Sequence, residues 1–321
     1  MSILARFKAE AQPKPNLDPL IRTLDWAKKV YKVGAKLPAN VVAPTEETTG
    51  YFIPTFYAYG EKELAIELAK WEASRQQPDG SFVGADGIPY TFDTAQVIRG
   101  YLSVLDDVPE LLEPLKKASE YVFSQIDEKG EVHTASYSGW RLGNGSVFSE
   151  YAHLYALAPL RDAGKRLNEP KYIQACERGV QYYKRQPDLV DFKSELGKLS
   201  HIFGYMMEAL AELGERDLAK RGLRSAELIQ KKNGAIPAYP GVDWVCSTGM
   251  AQLCVAWYKL GISDAADKAM RYLESIQNPS GGFYGGYGKN AQYFPDMEIG
   301  WASKYLLDCY LLKYGRNPLV D

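Results

Sequence analysis

The chain predicts an all-α fold: one domain over residues 1–321, built as an (α/α)6 toroid of six helical hairpins. Three observations carry this. Charged amphipathic helices alternate with less charged ones along the chain. The turn after the charged helix repeats, as Gln76-Gln77-Pro78-Asp79-Gly80-Ser81-Phe82, Gln230-Lys231-Lys232-Asn233-Gly234-Ala235-Ile236 and Gln277-Asn278-Pro279-Ser280-Gly281-Gly282-Phe283. Connections also alternate between short and long.

The charged helices are placed at 17–33, 61–77, 110–126, 168–186, 215–231 and 263–277. The second of these, with Glu61-Lys62-Glu63-Leu64-Ala65-Ile66-Glu67-Leu68-Ala69-Lys70-Trp71, carries one apolar stripe and a charged back, which suits an outer ring with one wet face. The partners are placed at 47–60, 93–105, 145–164, 198–213, 246–261 and 297–314. The segment Thr248-Gly249-Met250-Ala251-Gln252-Leu253-Cys254-Val255-Ala256-Trp257 is nearly free of charge and rich in small residues, as an inner ring buried on most sides requires. In the repeated turn a glycine supplies the positive φ that stops the helix, and the apolar residue after it turns back to the core. The long connections, 78–92, 127–144, 187–197, 232–245 and 278–296, all run from a charged helix to its partner, so they gather at one end of the ring. Long loops in a compact domain are usually functional, which makes that end the candidate active face.

Composition narrows the function. An apolar share of 46% and a charged share of 24% are those of a globular protein. Lys and Arg (38) nearly balance Asp and Glu (40), a net charge of −2, so no broad positive field exists to gather nucleic acid. Cys176, Cys246, Cys254 and Cys309 show neither CxxC nor Cys/His spacing and read as buried free thiols. No metal or other cofactor is expected. The N-terminus lacks the apolar core of a secretion signal and no stretch reaches about 18 apolar residues, so a cytoplasmic protein without a membrane span is expected. The oligomeric state is not legible.

The long loops and inner-helix starts hold Tyr90, Tyr137, Trp140, Tyr239, Trp244, Tyr284, Tyr287 and Tyr293, flat faces with polar tips suited to sugar rings. Asp93 sits at the mouth of the second inner helix, either as an N-cap or as an acid/base group facing the cleft. Asp296 and Glu298 stand where the last long loop meets its inner helix, and two carboxyls in a charge-poor site can have their pKa values pushed apart. Asp93 and Glu298 are therefore the expected acid/base pair, with His201 and Tyr293 as further catalytic candidates. Glu46 and Glu47 open the first inner helix. Tyr205 shares a face with His201, as His153 does with Glu150. Arg141, Arg99 and Lys304 either meet a uronate carboxylate or form internal ion pairs. The expected substrate contacts are Glu47, Trp140, Arg141, Tyr239, Trp244, Tyr287 and Asp296.

Several segments resemble the VpsJ-type polysaccharide-biosynthesis proteins of bacterial exopolysaccharide clusters: Glu47-Thr48-Thr49-Gly50-Tyr51-Phe52-Ile53-Pro54-Thr55, Phe92-Asp93-Thr94-Ala95-Gln96-Val97-Ile98, Ser200-His201-Ile202-Phe203-Gly204-Tyr205, Trp244-Val245-Cys246-Ser247-Thr248-Gly249-Met250-Ala251-Gln252 and Tyr293-Phe294-Pro295-Asp296-Met297-Glu298-Ile299-Gly300-Trp301-Ala302. The resemblance implies the toroid, a saccharide partner and an exopolysaccharide setting, and it adds Tyr51 and Gln252 to the substrate-binding set. The region from Glu131 to Leu160 departs from the family pattern. The toroid also resembles terpenoid cyclases and prenyltransferase subunits, but the chain has no DxDD motif and no Asp/Cys/His zinc set. The segment Trp244 to Leu260 resembles glucuronyl C5-epimerases. The expected function is a carbohydrate-active enzyme, as hydrolase, lyase or epimerase; the alternative is a non-catalytic saccharide-binding or assembly subunit, and an isoprenoid cyclase ranks last.

Overall fold

The computed structural model describes residues 16–136, 150–192 and 199–320. Its helices are α1 (Asp18–Tyr31), α2 (Glu46–Ala58), α3 (Lys62–Arg75), α4 (Thr91–Val104), α5 (Leu112–Ser124), α6 (Leu157–Leu167), α7 (Pro170–Lys184), α8 (Ser200–Glu212), α9 (Arg216–Ile229), α10 (Ser247–Leu260), α11 (Ser263–Ser275) and α12 (Gly300–Tyr314). The even-numbered helices form the inner ring. Each packs on the inner helix before and after it, and α12 returns to α2, so the ring is closed. The contrast between the rings is as the patterning predicts. Every residue from Ser247 to Trp257 of α10 is buried, whereas α9 buries only Ala219, Gly222, Leu223 and Ala226. All four cysteines are buried and free.

The hairpins have a different phase from the expected one. Each outer helix packs most closely on the inner helix that precedes it, as α3 does on α2 and α11 on α10. Short connections such as Tyr59 to Glu61 force antiparallel neighbours, and the long ones cannot. The last inner helix is therefore left for the first outer one, and α1 packs against α12. Two boundaries also shift. The third inner helix is preceded by a 3-10 segment, Glu150–Ala156, and α12 begins at Gly300, so that Asp296 and Glu298 lie in the loop before it.

The repeated turn does more than end a helix. Gln76 Nε2 donates to the carbonyls of Gly80 (3.1 Å) and of Pro114 (2.9 Å) in α5. Gln230 Nε2 reaches Gly234 and, in α11, Ala265. Gln277 Nε2 reaches Gly281 and, in α1, Pro19 and Thr23. Each copy thus fastens its hairpin to the next outer helix, and the third fastens the last hairpin to the first helix. The glycine of the turn, Gly281 for example, lies at φ +98°, and a Cβ there would stand 2.3 Å from the Arg22 carbonyl oxygen.

Beyond these turns, at the same end of the hairpins, the long connections bond to one another. Ser200 N donates to Ala238 O, Thr91 Oγ1 to His133 O and Val42 N to Glu298 O. A two-residue antiparallel ribbon, β1 (Val245–Cys246) with β2 (Gly286–Tyr287), ties the last two together. The described parts of the long loops form one face over the N-terminal ends of the inner helices.

Candidate active site

The first turn of α2 is fixed by a reciprocal cap. Thr48 N donates to Thr45 Oγ1 (3.2 Å) and Thr45 N to Thr48 Oγ1 (2.9 Å). The two glutamates that follow the cap then diverge. Glu46 accepts from Arg75 Nε at 2.8 Å, and Glu47 accepts from the Tyr205 hydroxyl at 3.2 Å. Beside them α4 carries Asp93 at its third residue, with Tyr90 in the N-cap position, so Asp93 is not the cap of its helix. It is buried. The two helices can lie this close because Gly50 has no side chain: a Cβ there would stand 2.7 Å from Val97 N.

Two carboxyls are thereby enclosed together. Glu47 keeps part of its surface accessible, yet the protein around it withholds solvation and pushes its pKa up to about 7, against the lowering effect of the Tyr205 hydrogen bond. Burial also raises Asp93 well above the usual carboxylate range, and the charges of Glu47, Glu46 and Asp86 raise it further. Because the Glu47 charge disfavours ionisation of Asp93, Asp93 is the carboxyl that holds its proton against a neighbouring anion. The Tyr205 hydroxyl stabilises the anion on Glu47, which leaves Asp93 as the protonated member.

On the inner helices α8 and α10, a second close approach brings a histidine to the same cluster. A Cβ on Gly249 would lie 2.0 Å from Ser200 Oγ and 2.6 Å from His201 N. His201 Nδ1 lies 2.5 Å from Gln252 Oε1. An amide oxygen only accepts, so Nδ1 carries the hydrogen and Nε2 keeps its lone pair. Burial lowers the His201 pKa to about 4, leaving the ring neutral. Its ring lies 4.6 Å from that of Tyr205 and 5.8 Å from that of Tyr293, whose hydroxyl accepts from Trp301 Nε1 at 3.0 Å. Gln252 Nε2 and the Tyr51 hydroxyl are buried without a hydrogen-bond partner.

The structure gathers Asp93, His201, Tyr293, Glu47 and Gln252, with Tyr51 beneath them, and corrects the place of the others. Glu298 is not the partner of Asp93. One of its oxygens accepts from Trp26 Nε1 (2.8 Å), and the other from Asn278 Nδ2 (2.8 Å) and Ser280 Oγ, so it braces the seam between α1 and the last loop. Tyr287 belongs to the same brace, donating to Asn278 Oδ1 and accepting from Tyr284 N. Trp244 is buried with the half-buried Tyr239 edge-on at 5.9 Å, and Asp296 is exposed. Trp140 and Arg141 lie outside the described residues. Arg99 binds Glu212 (2.7 Å) and Lys304 binds Asp308 (2.8 Å), so both form internal ion pairs. They line a separate cavity of about 780 Å³ near the short connections, with Tyr51 and Tyr155 in its wall. Glu47 was legible as an acid after a Thr cap, but its pairing with Asp93 was not, since nothing in the sequence sets the spacing of α2 and α4.

One group among the described residues, Asp127, Glu131 and His133, brings potential metal-ligand atoms within 4.8 Å of one another, on the turn after α5 and not on an inner helix. No described helix is long and apolar enough to cross a membrane.

No protein-family model and no curated protein sequence matches the chain. Solved structures do. An unsaturated glucuronyl hydrolase specific for heparin shares 14% identity over 92% of this chain and 94% of its own, at a TM-score of 0.66. A possible member of the GH105 family from Salmonella enterica serovar Paratyphi A shares 12% over 95% and 97%, at 0.66. The type II terpene cyclase MstE from Scytonema shares 13% over 92% and 97%, at 0.60. The chain has the (α/α)6 toroid fold. Since glycosidases and a terpene cyclase share it, the chemistry must be argued from the site.

Proposed function

We propose that this protein is a carbohydrate-active enzyme that hydrolyses a uronic-acid-containing saccharide, in the exopolysaccharide setting that the VpsJ-type resemblance implies. The observation that carries the proposal is the enclosure of the Glu47 and Asp93 carboxyls on adjacent, closely packed inner helices, on the face where the long loops meet. Hydrolysis needs an acid that is still protonated at neutral pH and a base that is not. Asp93 protonates the leaving oxygen. Glu47, held as an anion by Tyr205, takes a proton from the attacking water, and neutral His201 and Tyr293 orient the sugar. The glucuronyl hydrolase and GH105 likenesses support a uronyl substrate. Elimination or C5-epimerisation asks for a cation on the substrate carboxylate, and of the expected cations among the described residues Arg99 and Lys304 are already held by Glu212 and Asp308.

Turnover should be measured on oligosaccharides with unsaturated uronyl ends, made by lyase digestion of heparin and of polygalacturonate. Asp93→Asn and Glu47→Gln are each expected to lower kcat by about 10²–10⁴. The wild-type kcat/KM should be bell-shaped, rising as Glu47 ionises near pH 7 and falling as Asp93 loses its proton at higher pH. Binding without turnover would instead establish the saccharide-binding subunit, and turnover retained in both variants would remove the carboxyl pair from the mechanism.

A further inference from the structure

Phe294 combines three features that a structural residue has no use for. It is a bulky residue at φ +46°, in the left-handed region that suits glycine and asparagine. It is 37% exposed, one of the few large apolar side chains left in water. And the loop is built to keep it there. Gly285 N donates to Phe294 O at 3.0 Å, and Gly285 must lack a side chain because its Cβ would stand 2.7 Å from that of Phe294. Strained backbone and exposed apolar surface both oppose folding, and they persist together where function needs them.

The position suggests which function. Phe294 follows Tyr293, whose ring lies 5.8 Å from that of His201, so it stands at the Tyr293 edge of the cluster, on the side of the last long loop. Its ring meets those of Tyr293 (4.9 Å, 84°) and Trp301 (5.7 Å, 81°) nearly at right angles, which fixes its plane between two partners. Trp301 and Tyr293 are themselves locked by a hydrogen bond of 3.0 Å. A flat, rigid, half-wet aromatic surface next to a saccharide cleft offers a stacking face for the C–H side of a pyranose ring.

We propose that Phe294 is a substrate-binding platform that stacks on a pyranose ring of the saccharide, a subsite at the Tyr293 edge of the cleft. This rests on the reading of the cleft as a saccharide site and adds to it a residue that takes no part in proton transfer. The backbone geometry supplies a discriminating test. Phe294→Gly removes the ring and relieves the positive φ, so the melting temperature should stay level or rise while binding weakens.

Binding is measured by titration calorimetry in the slow variant Asp93→Asn, with the unsaturated heparin and polygalacturonate oligosaccharides as probes. Adding Phe294→Gly should raise Kd about five- to tenfold, the weight of one aromatic stack, and Phe294→Tyr should restore it. In the otherwise wild-type enzyme, Phe294→Gly should raise KM more than it lowers kcat. An unchanged Kd in a protein that binds the oligosaccharide overturns the platform and leaves the proposed function standing. A fall in melting temperature with no rescue by tyrosine would show a packing role instead. Failure of Asp93→Asn to bind any of these saccharides would overturn the proposed function and the platform with it.

Discussion

Glu298 and Asp93 are both buried carboxyls at the mouth of an inner helix, and their surroundings prescribe opposite behaviour. Glu298 has three donors for its two oxygens, so its work is to tie Trp26 to the last long loop. An amide in its place would present N–H groups to Trp26 or to Asn278 and Ser280. Glu298→Gln is therefore expected to lower stability by about 1–3 kcal/mol, the cost of mispaired buried polar groups, while kcat on a uronyl saccharide stays close to wild type. Urea unfolding beside a turnover assay checks both halves. A large loss of kcat with stability intact would return Glu298 to the chemistry.

At the scale of elements, the glutamine turn decides whether six hairpins make a ring or an open stack. Its third copy links α11 to α1 through Gln277, across a sequence separation of 258 residues to Pro19. Gly281 sits against the Arg22 carbonyl with positive φ, so Gly281→Ala adds both a clash and backbone strain. The expected loss is at least about 1–3 kcal/mol. Hydrogen exchange should localise the loosening to α1, α11 and α12. Protection lost uniformly over the ring would mean that this turn is not a separate closure element.

For the whole molecule, buried titratable groups predict an acid-shifted stability optimum. Burial raises Glu72 well above the usual carboxylate range, and the Glu46 charge adds to this; both its oxygens are without a partner. With Glu47 and Asp93 it binds protons more tightly folded than unfolded, so their contribution is full below the unfolded values, 4.5 for the glutamates and 3.8 for Asp93, and is lost as pH rises through their folded values. His153 and His201 work the other way. Burial lowers both to about 4, so their contribution is full above the unfolded value near 6.5 and is lost as pH falls through 4. Glu212 adds to the acid limb: burial would raise it, but Arg99 and Lys259 hold it well below the usual range. Each group acts with a slope of about 1.4 kcal/mol per pH unit within its window. Three raised carboxyls outweigh two lowered histidines from about pH 4.5 to 6.5 and stand unopposed above it. Thermal unfolding should show a maximum near pH 5 and a lower melting temperature at pH 8. A maximum at pH 7–8 would contradict the retained protons.

The sequence by itself determined the class of fold, the two rings, the long-loop face and most members of the site, because these depend on periodicity and on loop length, which are local. Residues 65, 68, 69 and 72 of α3 show the limit of that reading: they form one buried stripe, and the stripe ends in a glutamate whose burial only the packed neighbours of α3 reveal. The pairing of hairpins, the choice between Glu298 and Glu47 as the partner of Asp93, and the neutralisation of Arg99 and Lys304 were decided by tertiary structure. Each depends on the distance between helices far apart in the chain. That distance is set by glycines such as Gly50 and Gly249, whose meaning is the absence of a side chain against a backbone the sequence does not name. A carboxyl's role follows from which donors reach it, and in this ring those donors come from other hairpins.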